Sequence, residues 1–145
     1  MEIWHPCIGF ETHYEVSNLG NVRSIERMVN NRLGNGLRKS PAKLLKQGKS
    51  KSGYLIVSFC VDGVKSNHTV HRLVARAFIE NESNKPQVNH KDGNKHNNCV
   101  VNLEWATVSE NAKHAYSVLN AFHYKRNIKA ELDATKAEVA ALKGA

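Results

Sequence analysis

The 145 residues, 41% of them apolar, suffice for one domain or two very small ones. Cys7, Cys60 and Cys99 form no CxxC pair, no run reaches the ~18 apolar residues of a membrane helix, and MEIWHPC lacks a basic-then-apolar signal segment. These features argue against a disulfide framework, a four-cysteine zinc site, a membrane span and secretion, and leave a soluble cytoplasmic protein as the expectation.

The net charge of +8 is localised. Residues 23–51 hold Arg23, Arg27, Arg32, Arg38, Lys39, Lys43, Lys46, Lys49 and Lys51 against a single acid, Glu26, and the rest of the chain is neutral. A single-sign patch of this density points to a polyanionic partner. The plainer reading is a solvated loop that aids solubility.

In chain order, Ile3-Trp4 and Tyr14-Glu15-Val16 are short strand candidates, separated by the turn signal Asn18-Leu19-Gly20-Asn21 from a further strand spanning Val22 to Val29. Residues 30–52, rich in Asn, Gly, Lys and Ser, read as a mobile loop with one brief ordered piece at Lys43-Leu44-Leu45. Tyr54 to Phe59 is a clearer strand, Asp62-Gly63 a hairpin turn, and Val64 to Val70 the returning strand. A helix over His71–Ile79 should pack on that hairpin through Leu73, Val74, Ala77 and Phe78.

The stretch from Val70 to Asn111 organises the rest. Val88-Asn89-His90 reads as a strand ending at Asp92-Gly93. The loop Asn94-Lys95-His96-Asn97-Asn98 leads to a second strand at Asn102-Leu103-Glu104-Trp105, where Leu103 and Trp105 should fill a small core. Thr107 to Asn111 then opens a helix. A strand, a strand and a helix can bring His90, Asn102 and Asn111 to one small surface. Amide oxygens suit a hard cation such as Mg²⁺, and a neutral imidazole suits proton abstraction.

The pieces HRLVARAF, VNHKDGNKHNN, NLEW and the closing SEN resemble the ββα-metal core of HNH endonucleases, in the branch of phage and intron-encoded homing endonucleases. Upstream, Glu2-Ile3-Trp4, Gly9-Phe10-Glu11 and Tyr14 to Ser24 resemble the nuclease-associated module that often precedes this core. The two resemblances cover residues 2–116. They imply an α+β fold: a β-rich N-terminal module with its basic loop (1–52), a β-hairpin and ββα-metal, or His-Me finger, nuclease core (53–116), and a C-terminal helical tail (117–145).

The resemblance implies roles residue by residue. His90 is the general base, Asn102 the motif's middle Asn that braces the loop between the strands, and Asn111 a metal ligand. Asn89 fills the place of the first metal ligand, where many relatives carry Asp. The implied activity is hydrolysis of double-stranded DNA, by nicking or full cleavage, with Mg²⁺, Mn²⁺ or another divalent cation, and the implied setting is a phage-encoded protein in a bacterial host. The basic residues of 23–51 would track phosphates. Because Asn89 removes a carboxylate, a catalytically weakened DNA-binding protein or a phage DNA-packaging accessory protein stands as the alternative.

Two smaller features complete the reading. His68-x-x-His71 has zinc-like spacing but no accompanying thiol pair, and Asp92 reads as a turn former. In the tail, Ile128, Leu132, Thr135, Val139 and Leu142 form a short a/d seam. It suits either a surface helix on a monomer or a weak homodimer.

Overall fold

The computed structural model describes residues 1–31, 34 and 36–143; in the last helix the side chains at 119, 122–125, 127, 131, 134–135 and 137–143 lie outside that description. The fold is α+β, with two compact units, Met1–Thr107 and Val108–Ala145. No helix among the described residues is long and apolar enough to cross a membrane.

The first unit begins with strands β1 (Trp4–Pro6), β2 (Tyr14–Ser17) and β3 (Val22–Ser24). Alternation decides their faces: Tyr14, Val16 and Val22 are buried while Glu15 between them pairs outward with Arg23. The strand expected over Val22 to Val29 is instead two. It breaks at Ile25-Glu26, and β4 (Arg27–Asn30) leaves to pair with β5 (Leu37–Ser40) in a separate ribbon.

The loop expected over residues 30–52 is likewise corrected. It contains β5, β6 (Lys43–Leu44) and β7 (Gly48–Lys49), each held by a partner from elsewhere in the sequence. β6 adds to β3, completing a four-stranded sheet in the order β1-β2-β3-β6, and β7 adds to β8 (Leu55–Val61). Ladder hydrogen bonds and cross-strand neighbours override the poor strand propensity of these short polar segments.

β8 and β9 (Val64–Thr69) form the expected hairpin. Both turn residues have positive φ, Asp62 at 50° and Gly63 at 80°, which is the backbone of a two-residue type I′ turn and explains the Asp-Gly pair. Helix α1 (Val70–Phe78) follows at once. It buries Val70, Leu73, Val74 and Ala75 and turns Arg72 and Arg76 outward.

One apolar cluster joins the N-terminal strands to the later elements: Val16 and Val22 pack with Phe59, Val57, Val74, Val88 and Leu103. Tyr14 stacks on Phe59 at 3.9 Å between centroids, and its hydroxyl donates to the Cys60 carbonyl at 3.1 Å and accepts from the Cys60 N–H at 2.8 Å. A second hairpin, β10 (Gln87–His90) with β11 (Leu103–Ala106), closes the unit after a short 3₁₀ turn at Val100–Asn102. In the second unit, α2 runs unbroken over Val108–Lys143.

Candidate active site

β10 and β11 are antiparallel in the register Val88↔Trp105, Asn89↔Glu104, His90↔Leu103. Alternation puts Val88, His90, Leu103 and Trp105 on one face, and Asn89 and Glu104 on the other. His90 is the last residue of its strand, and its carbonyl accepts the Gly93 N–H at 2.9 Å, closing the turn.

The His90 side chain is buried, and its Nε2 lies 3.0 Å from Asn98 Oδ1. An amide oxygen only accepts, so the ring hydrogen sits on Nε2 and the lone pair on Nδ1. Asn98, itself buried, thereby selects the tautomer in which Nδ1 is the basic nitrogen. Two further rings frame the imidazole: His71 at 5.2 Å and Tyr54 at 6.0 Å between centroids, with Tyr54 and His71 4.6 Å apart. The Lys95 ammonium lies 4.7 Å above the Tyr54 ring and donates to the Ser52 carbonyl at 2.9 Å.

His71 is buried, and its Nδ1 has no hydrogen-bond partner. Burial, then electrostatic interaction with His90 and Arg72, pushes its imidazole down to about 4. It therefore stays neutral beside His90 at ordinary pH. His68 packs on Phe59 and Phe10 at 4.7 and 4.9 Å, and among the described residues neither it nor His71 belongs to a group of three His, Cys, Asp or Glu side chains able to hold a metal.

Asn102 ties the intervening loop together. Its Nδ2 donates to Asp92 Oδ1 at 2.9 Å and to the Asn97 carbonyl at 2.8 Å, and its Oδ1 accepts the Asp92 N–H at 3.1 Å. Asp92 also accepts from Asn97 Nδ2 and the Asn94 N–H. Burial pushes the Asp92 carboxyl up, but those hydrogen bonds from Asn97, Asn94 and Asn102, with His90 nearby, outweigh it and hold the group below the usual range. Asp92 is thus a turn former with its oxygens engaged.

Asn89 is buried, and its Nδ2 donates to Glu104 Oε1 at 2.8 Å. That contact turns its Oδ1 away from the carboxylate. Asn111 lies near the start of α2, in the second unit. Among the described residues no three His, Cys, Asp or Glu side chains gather to hold an ion by themselves.

The basic residues divide. Arg38, Lys39, Lys43, Lys46, Lys49 and Lys51 are exposed, with Lys39 2.9 Å from Glu26. Arg23 is engaged internally, its guanidinium 2.7 Å from Glu15 and 4.1 Å over the Trp4 ring; Arg27 lies 5.9 Å over Tyr14. Arg32 lies outside the described residues. Asn98, Tyr54 and His71 meet His90, and Glu104 meets Asn89, contacts that sequence reasoning did not assign. Asn98 is one of three asparagines in the run NKHNN, and nothing in that run distinguishes it.

Comparison with known proteins identifies the two segments. Residues 2–60 match the NUMOD4 motif and residues 68–113 the HNH endonuclease model. The chain is 44% identical over 112 residues to an uncharacterized HNH endonuclease of Acanthamoeba polyphaga mimivirus, covering 77% of this chain and 29% of that one. It is 37% identical over 114 residues to DNA endonuclease I-HmuI of Bacillus phage SP01, covering 79% of this chain and 58% of that one. A solved structure on DNA binding and cleavage by the HNH homing endonuclease I-HmuI superposes with a TM-score of 0.62 at 35% identity, over 88% of this chain and 66% of the other. The chain thus spans from under a third to just over half the length of these two curated relatives. With both segments matched in order and the fold shared, the chain belongs to the HNH endonuclease family.

Proposed function

We infer that this chain is a metal-dependent DNA endonuclease that hydrolyses phosphodiester bonds. The observation that carries the reading is the His90 imidazole, its Nε2–H held by Asn98 Oδ1 and its Nδ1 left as base. In this reading Nδ1 takes the proton of the attacking water, and Asn98 keeps the ring from presenting the wrong nitrogen. The neutral His71 ring packs against His90 without adding charge where an imidazolium forms. Asn102 fixes the loop on which Asn98 stands. Asn89 and Asn111 hold one divalent ion through side-chain oxygens, and Asn111 enters on the family resemblance. The residues fit Mg²⁺ or Mn²⁺, which when bound stabilises charge on the phosphate and leaving oxygens. The exposed part of the basic segment tracks the flanking phosphates.

The test is supercoiled plasmid incubated with Mg²⁺, with and without chelator, alongside a His90→Ala preparation purified identically. Nicking that needs the metal and falls by roughly 10²–10⁴-fold in His90→Ala is expected, the usual worth of a positioned acid–base group. Full activity in a folded His90→Ala protein refutes the assignment. DNA binding without any metal-dependent cleavage favours the weakened DNA-binding protein that Asn89, in place of Asp, would suggest.

A further inference from the structure

The hairpin face that carries Asn89 also carries a carboxylate. Asn89 and Glu104 are register partners, so their side chains stand side by side on the face opposite His90. The Nδ2–Oε1 bond of 2.8 Å joins them. Asn89 is 6% exposed, so its amide has little freedom to turn once that bond is made. The nearby Asp92 is already committed to Asn94, Asn97 and Asn102.

Resting on the metal-site reading above, we propose that Asn89 and Glu104 act as one unit. Glu104 aims the Asn89 carbonyl oxygen at the cation and supplies the negative charge that two amide ligands lack. A carboxylate that accepts a hydrogen bond from an amide N–H polarises the amide, shifting electron density onto its oxygen. Its own charge, one side chain away, also favours a divalent ion. The pair thus does from two strand positions what a single Asp does in many relatives. An ordinary cross-strand polar pair would stabilise the hairpin only slightly. It would leave cation binding untouched when altered, and that difference is measurable.

The experiment is a Mn²⁺ titration of the full chain without DNA, followed by the electron paramagnetic resonance of the free ion. Glu104→Gln should weaken Mn²⁺ binding roughly tenfold, the lower end of what outer partners of metal ligands are worth. Its melting temperature in chelator should hold, because Gln can still accept from Asn89. The exchanged pair Asn89→Asp with Glu104→Gln reverses donor and acceptor while keeping one carboxylate and one amide. It should recover most of the lost affinity. Unchanged affinity in Glu104→Gln, or an exchanged pair no better than that single variant, overturns the proposal. Asn89→Ala and Asn111→Ala separate the two levels. If both lose Mn²⁺ binding while Glu104→Gln does not, the Glu104 role alone fails. If both bind like the unaltered chain, the metal site fails and the proposal with it.

Discussion

Replacing Asn98 by Ala removes the acceptor for the His90 Nε2–H. Donor and acceptor are 3.0 Å apart, and both residues are buried, so water cannot easily substitute. A buried N–H left without a partner costs about 1–3 kcal/mol. The ring can escape that cost by moving its hydrogen to Nδ1 or by rotating, and either response takes the basic nitrogen from the water it should deprotonate. At 1.36 kcal/mol per factor of ten, the cleavage rate should fall about 10- to 100-fold. Substrate affinity should hold, since Asn98 is buried and uncharged. Asn98→Asp is the sharper probe. A carboxylate facing Nε2–H favours the imidazolium, so the base form becomes available only at higher pH. The rising limb of the rate–pH profile should therefore move to higher pH while the fold is kept. The assay is single-turnover nicking of supercoiled plasmid from pH 5 to 9, with thermal melting as the folding control. A folded Asn98→Ala protein at full rate, or an Asn98→Asp profile superposable on the unaltered one, would refute the tautomer argument.

Three further outcomes are expected. Replacing the exposed Arg38, Lys39, Lys43 and Lys46 by Ala should flatten the salt dependence of DNA binding by roughly one unit per lost phosphate contact; an unchanged slope removes these strands from the interface. His71, held at about 4 when folded and near 6.5 when unfolded, makes no difference above pH 6.5 but lets the unfolded chain gain a proton as pH falls from 6.5 towards 4. Denaturant titrations at pH 7 and 4.5 should show a stability loss smaller by about 2–3 kcal/mol in His71→Phe, and equal losses would deny the buried neutral ring. In the tail, Ile128 and Leu132 are exposed, while Thr135, Val139 and Leu142 lie outside the described side chains; if sedimentation shows monomers for both the intact chain and one ending at Tyr124, the seam is not an interface.

How much was legible in the sequence follows from what each residue depends on. Asp62-Gly63 was readable because a two-residue turn with positive φ at both positions demands such residues locally. The end of β10 at His90 was readable from Asp92-Gly93, and α1 from its apolar period. The strands within 30–52 were not. Apart from the ordered piece expected at Lys43-Leu44-Leu45, which is β6, Leu37–Ser40 and Gly48–Lys49 carry no alternating pattern and exist because β4 and β8 pair with them. Asn98 and Glu104 show the same limit at the site. Their contacts with His90 and Asn89 depend on register and loop path, and in the sequence Asn98 is indistinguishable from Asn94 and Asn97.

The position of Asn98 itself has a cause in the N-terminal strands. Gly20 has a φ of +86°, and a Cβ built on it would meet Asn98 Cβ at 2.8 Å and the Asn98 carbonyl oxygen at 3.1 Å. Only glycine satisfies both the left-handed backbone and that approach. The contact is reinforced on either side: the Val100 N–H donates to the Asn18 carbonyl at 2.9 Å, and Gln47 Nε2 holds the Gly20 carbonyl at 2.8 Å. The turn Asn18-Leu19-Gly20-Asn21 is thus the floor on which the Asn98 loop rests, and that loop in turn sets the His90 ring. The NUMOD4-matching strands and the HNH-matching hairpin also share one apolar cluster. The setting of the His90 ring therefore depends on both matched segments together, because a shift of the turn at Gly20 reaches it through a single side chain.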